Sequence, residues 1–302
     1  KIEAEGRSAS PQEQDVLSRY VGWGALSQVF DKNAQSWEKE YQELSDLLSP
    51  EEFKAARSST LNAHYTSPVV IRAIYTAIEA MGFDGGNILE PSMGVGNFFG
   101  LLPESLRASR LYGVELDQLT GRIARQLYPR ADITIAGFES TDRRDFYDLA
   151  ISNVPFGNYK VSDHAYDKLN YSIHDYFFAK ALDQVRPGGL IAFITSHFTL
   201  DKQSDEVRAY IARRAEFLGA VRLPNTAFLR NAGTEVTSDI IFLKRREQPL
   251  EIAPDWLQLG QTDEGVPLNR YFLEHPEMVL GKMEMISGLY GKEAACVPVP
   301  GQ

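Results

Sequence analysis

From residue 87 to residue 244, short apolar runs alternate with amphipathic stretches, and that alternation constrains the fold more than any other feature. Runs near 87–90, 110–115, 132–136, 148–152, 189–195, 217–223 and 239–244 read as strands. They are bounded by charged and turn residues, as interior strands of a sheet covered on both faces are. Segments near 97–107, 118–128, 173–186 and 203–214 read as helices. Strands that alternate with helices imply a mostly parallel α/β sheet of seven strands with helices on both faces. Ligands of such sheets bind beyond the carboxyl ends of the strands, so the residues that end each strand are the ones to read for function.

Before the sheet, Val69, Val70, Ala73, Ile74, Ala77, Ile78 and Met81 recur at helical spacing, with Ser67 or Thr66 as cap and Pro68 at the first position. Residues 1–60 read as an N-terminal helical extension. Residues 1–10 are polar and read as disordered. Val16, Leu17, Tyr20, Val21, Gly24 and Leu26 share the face of a first helix weakened by glycine, and Trp37, Tyr41, Leu44 and Leu48 that of a second. Ser49-Pro50-Glu51-Glu52 starts a third with a capping box. Residues 61–248 form the core, and 249–302 an irregular C-terminal extension with one short helix.

No apolar run is long enough to cross a bilayer. The single cysteine, Cys296, leaves no disulfide framework and points to a reducing, cytoplasmic setting. His164, His174 and His197 lack metal-ligand spacing, so no metal is expected. A net charge of −10 speaks against a chain that grips nucleic acid unaided. The sequence begins at Lys1 rather than Met, as a piece of a longer protein would.

The first strand ends in Glu90-Pro91-Ser92-Met93-Gly94-Val95-Gly96, a turn in which glycine lets a ligand approach the backbone. A dinucleotide site wants a further glycine at position 99, where Phe99 stands. The second strand ends in Glu115, an acid placed to accept from both ribose hydroxyls. The third runs into Gly137-Phe138-Glu139, where Phe138 suits an adenine face and Glu139 its amino group. The fourth ends in Asn153-Val154-Pro155-Phe156. There the Asn153 oxygen and the Val154 carbonyl suit the hydrogens of a planar amino group, whose lone pair they would localise on nitrogen. Pro155 limits the freedom of the turn, and Phe156 is placed to stack on the base.

In this order, Tyr65-Thr66-Ser67-Pro68, Glu90 to Gly96, Glu115, Gly137-Phe138 and Asn153 to Phe156 resemble the motifs of S-adenosylmethionine-dependent adenine-N6 DNA methyltransferases. Having the Tyr-Thr-Ser-Pro motif first is similar to the gamma group, including type I restriction-modification methylation subunits. Leu223 to Phe228, Gly233-Thr234 and Thr237 to Leu243 also resemble those subunits. The segment from Tyr20 to Leu26 and the tail from Asn269 to Gly281 look like the large methylase–helicase polyproteins of phages and conjugative elements.

The resemblance implies a Rossmann-like methyltransferase sheet with S-adenosyl-L-methionine as cofactor. It implies Tyr65, Thr66 and Pro68 on the methionine side, and Glu90, Pro91, Ser92, Gly94 and Gly96 around the amino-acid end. Glu115 would then hold the ribose and Phe138 with Glu139 the adenine. Asn153, Val154, Pro155 and Phe156 would receive an adenine flipped out of DNA. DNA is the implied partner, with an attached or associated helicase domain and a recognition module.

Three positions depart from the family. Glu90 stands where Asp is usual, Val154 where Pro is usual, and Gly137 where an acid is frequent, unless Glu139 replaces it. A methyltransferase acting on RNA or protein glutamine, and a non-catalytic cofactor- or DNA-binding module of a helicase, remain alternatives. The polar loop 157–172 offers Tyr159, Lys160 and Tyr166 either as DNA contacts or as a solvated lid.

Overall fold

The computed structural model describes residues 1–60, 66–228, 236–288 and 291–300. In the N-terminal layer, α1 (Pro11–Ser18), α2 (Glu38–Leu47) and α3 (Pro50–Ser59) follow one another. Ser10 and Glu13 form a capping box on α1, and Ser49 and Glu52 form one on α3. Next comes α4 (Pro68–Ala80), where Pro68 takes the first turn and Ser67 Oγ accepts from the Val70 amide. Ile71, Ile74, Tyr75 and Ile78 form its buried face, each worth roughly 1.5–3 kcal/mol of transfer free energy.

The sheet then forms from β1 (Asn87–Glu90), β2 (Arg110–Glu115), β3 (Asp132–Ile135), β4 (Tyr147–Asn153), β5 (Val185–Ser196), β6 (Ala215–Leu223) and β7 (Ser238–Arg245). The crossovers carry α5 (Asn97–Gly100), α6 (Gln118–Leu127), α7 (Ile173–Gln184), α8 (Phe198–Asp201) and α9 (Glu206–Arg214). The strand order is β3-β2-β1-β4-β5-β7-β6, with β7 antiparallel to both neighbours and the other pairs parallel. Sequence order therefore reverses between β1 and β4, where the crossovers diverge and leave a crevice. Ser152 Oγ donates to the Ser92 carbonyl at 3.2 Å across that point, tying the two strand ends together.

Several local expectations change. The helix expected over 97–107 stops at Gly100, and Pro103 leads into a separate 3-10 turn at Glu104–Leu106. The helix expected over 203–214 is α9, which starts at Glu206, and the short α8 precedes that range. The stripe from Val16 to Leu26 is not one helix. The Ser10 cap starts α1 early, α1 ends at Ser18, and Gly22 turns the chain at φ 69°. Residues 1–10, expected to be disordered, form a turn whose charges have partners: Arg7 with Glu13, and Glu3 with Arg122 of α6. The C-terminal extension is more regular than expected. It holds two antiparallel ladders, β8 (Leu259–Gln261) with β9 (Pro267–Asn269) and β10 (Lys282–Gly288) with β11 (Gly291–Val297), besides the short α10 (Arg270–Glu274).

Candidate functional site

A crevice of about 460 Å³ opens where β1, β2, β3 and β4 end, within the size range of small-molecule sites. Thr66, Glu90, Pro91, Ser92, Gly94, Glu115, Phe138, Glu139, Asn153 and Pro155 line it, so most of the residues picked out from the sequence come together. Pro68, Gly96, Val154 and Phe156 do not line it. Pro68 is an exposed helix start, and Gly96 has its α-carbon against Tyr128. Val154 is buried and Phe156 half-buried, packed on the core at the edge of the turn. Tyr65, Gly233 and Thr234 lie outside the described residues.

Parallel pairing sets the geometry. Asn153 ends β4 opposite Ile194, and the Val154 amide donates to the Ile194 carbonyl at 3.0 Å. The Val154 side chain is thereby sunk in the core while the turn faces the crevice. Asn153 Nδ2 donates to Thr66 Oγ1 at 3.1 Å, which commits the amino side of the amide to buried Thr66.

Two acids sit deep in the crevice. Burial, reinforced by nearby Glu115, pushes Glu90 well above the usual carboxyl range. Its Oε2 is buried without a hydrogen-bond partner among the described residues. A carboxyl in that state suits a cation, which would ionise it and fill its missing contact. Burial also pushes Glu115 up to about 7, against the pull of backbone amides. The Gly94 amide donates to Glu115 Oε2 and the Asp117 amide to Oε1, each at 2.8 Å. Both oxygens are thus aimed, and each keeps a lone pair for a further donor. Gly94 adopts φ 55°, and a side chain placed there meets nothing within 4 Å, so the backbone lies open to a ligand.

On the third strand's turn, a Cβ added to Gly137 collides with the Glu139 carboxylate. Glu139 therefore occupies the space that a side chain at 137 would take. Buried Lys180 of α7 fixes this turn by donating to the Glu139 carbonyl at 2.9 Å and to Asp163 at 2.7 Å. Phe138 packs on Phe177 with ring centroids 4.9 Å apart. Sequence reading missed Lys180. A lysine inside the apolar Phe177-Phe178-Ala179-Lys180-Ala181-Leu182 run was its signal, since a buried lysine needs a partner. In the polar loop, Tyr159 is exposed and lines the crevice, and Lys160 is held by Asn170. Tyr166 is buried, with its hydroxyl on Asp183 at 2.5 Å, so it belongs to the core rather than to a DNA-facing surface.

No family model matches the chain. Over 201 residues it is 30% identical to the defense against restriction protein B of Escherichia phage P1, covering 64% of this chain and 9% of that protein. Over 93 residues it is 33% identical to the type II methyltransferase M.CvrRI of Paramecium bursaria Chlorella virus XZ-6E, covering 30% of this chain and 24% of that enzyme. The chain thus spans less than a quarter of the length of either curated relative. Among solved structures, a candidate class I S-adenosylmethionine-dependent methyltransferase from Listeria monocytogenes superposes with a TM-score of 0.51 at 15% identity, over 77% of this chain and 81% of that one. The modification subunit of a candidate type I restriction enzyme from Vibrio vulnificus YJ016 gives 0.51 at 16% identity, over 88% and 64%. The fold is that of the class I S-adenosylmethionine-dependent methyltransferases. Structural neighbours include type I restriction-modification methylation subunits.

Proposed function

We propose that this chain transfers the methyl group of S-adenosylmethionine to the N6 amino group of an adenine in DNA, with the target base turned out of the helix. The observation that carries the reading is the convergence of Asn153 and Pro155 with Glu90, Glu115 and Phe138 on one crevice at the β1/β4 switch point. The relatives, a protein of defense against restriction and a type II methyltransferase, favour DNA as the substrate. The crevice residues fit the cofactor. Glu90, the orphaned carboxyl, would meet its ammonium group, Glu115 its ribose hydroxyls, and Phe138 with Glu139 its adenine.

The bound cofactor would supply an electrophilic methyl group on a sulfonium. The chain's own part is alignment. Asn153 Oδ1 and the Val154 carbonyl accept the two N–H groups of the target amine, so its lone pair localises toward the methyl group. Thr66 holds the amide of Asn153 in the required sense. Phe156 flanks the base, and Val154 in place of proline still offers the one group needed, a carbonyl. We assign the work to the cytoplasm; no described helix is long and apolar enough to cross a membrane. DNA is the partner, with recognition and helicase functions assigned to flanking parts of a longer protein. The net charge of −10 fits that division, because phosphate contacts dominate stand-alone DNA affinity.

The test offers tritium-labelled S-adenosylmethionine with duplex DNA, RNA and a glutamine-bearing peptide. Label in the N6-methyladenine of DNA supports the reading. Label elsewhere redirects it, and cofactor binding without transfer to any of the three favours a binding module.

Two further results are expected. Thr66→Val, which removes the partner of Asn153 Nδ2, should lower kcat roughly tenfold by the loss of one buried hydrogen bond. Thr66→Ser should restore it. Ribose hydroxyls donate best to an ionised Glu115, so binding lowers its pKa from about 7. Cofactor affinity should therefore tighten as pH rises through neutrality, with Glu90, Asp117 and Tyr20 as the other titratable neighbours. Calorimetric titration at pH 6 and pH 8 checks this, and Glu115→Gln should flatten the response.

A further inference from the structure

We infer that the N-terminal layer is a wall of the cofactor crevice, with the turn at Gly22 and helix α3 closing its nucleoside end over S-adenosylmethionine; the inference rests on the assignment of that crevice to the cofactor. Gly22 and Ala55 line the same crevice as Glu115 and Asn153. They face it together with Leu116, Asp117, Gln118 and Thr120, the residues that follow the ribose acid into α6. At φ 69°, Gly22 adopts a backbone that a side chain would strain, so the chain can turn its bare backbone into the crevice there.

The segment around Gly22 also carries two buried polar groups. The Tyr20 hydroxyl and Trp23 Nε1 are buried there, with Tyr20 beside Thr120 and Trp23. Tyr20 lies close enough to Asp117 and Glu115 to feel both charges, and burial pushes its hydroxyl up to about 12.

The layer has its own apolar cluster and a polar seam to the sheet's helices. Its apolar contacts are internal: Val29, Phe30 and Ala56 cluster with Trp23, Trp37 and Phe53, apart from the sheet's own cores. Polar bonds hold it to α6. The Ala9 amide donates to Gln126 Oε1 at 2.9 Å, Gln14 Nε2 donates to the Gln126 carbonyl at 2.8 Å, and Arg122 pairs with Glu3 and Glu52. Partly exposed pairs of this kind hold only weakly. A ligand that touches both the layer and the sheet adds to that docking, and by reciprocity the docked layer raises the ligand's affinity.

The experiment uses the whole chain with S-adenosylmethionine as the probe. It measures affinity by calorimetry, dissociation by stopped-flow tryptophan fluorescence, and hydrogen exchange over residues 1–60. Addition of the probe should slow exchange in the layer. Ala55→Leu should weaken binding at least tenfold while leaving the ligand-free melting temperature near that of the unaltered chain, and Gly22→Val should weaken it as much while lowering that temperature, because its backbone stands at φ 69°. Should either misfold, Arg122→Ala, whose side chain does not line the crevice, should still quicken dissociation. If the unaltered chain binds while the folded variants bind equally well and exchange in the layer does not change, the inference is overturned and the cofactor assignment stands. Failure of the unaltered chain to bind overturns both.

Discussion

Asn153→Ala is expected to reduce methyl transfer by about two to three orders of magnitude, the usual cost of deleting one fixed dipole aimed at a reacting group. Cofactor affinity should not change with it, because the acids assigned to the cofactor, Glu90 and Glu115, lie on other strands. The side chain ends β4 in a register fixed by the Val154–Ile194 backbone bond, so truncation removes the acceptor without releasing the turn. Rapid-quench single-turnover assays with labelled cofactor separate the chemical step from binding. A loss confined to affinity, or no loss at all, would remove Asn153 from the chemistry. Asn153→Asp is the finer control. It keeps an acceptor toward the amine but offers Thr66 Oγ1 no amide N–H, so intermediate activity is expected.

The parts of this arrangement legible in the sequence are those that the parallel sheet writes in order. Each of β1 to β4 ends in a short polar signature, and parallel pairing delivers every such end to one edge; hence Glu90, Glu115, Phe138 and Asn153 are findable from strand pattern and spacing. What a linear reading cannot supply is contact between segments far apart in the chain. Nothing local says that Thr66 meets Asn153, 87 residues away, or that Gly22 reaches the crevice. Tyr166 misled for a related reason. A tyrosine in a polar loop reads as exposed, but its hydroxyl finds Asp183 on α7 and the ring goes inward. Gly137 and Glu139 show the opposite case, in which an apparent gap in a motif is filled from two residues away by a carboxylate folded back over the glycine.

The second large effect is on stability. Arg222→Ala is expected to cost about 3–5 kcal/mol, because it strands buried carboxylates whose only strong compensation is the guanidinium. Arg222 on β6 is completely buried and grips Asp239 of β7, its cross-strand partner, through two bonds of 2.8 Å. Its third arm reaches Asp201 of α8 at 2.6 Å, and the plane lies 4.4 Å from the centre of the Phe272 ring. Burial works against its charge, but Asp239 and Asp201 outweigh that and raise its pKa, so it stays ionised. Asp201 also accepts from the Asn269 amide at 3.0 Å, which carries the same cluster into the C-terminal extension. Thermal denaturation should register a drop on the order of 10 °C for a chain of this size. Asp239→Asn should cost less, since the amide oxygen still accepts from Arg222 and no charge is left unpaired. A combined Arg222→Met, Asp239→Leu and Asp201→Asn replacement should recover much of the loss, because apolar packing often matches a buried ion pair. If Arg222→Ala melted like the unaltered chain, the cluster would have to be relaxing into solvent, and hydrogen exchange over β6 and β7 would then reveal the opening.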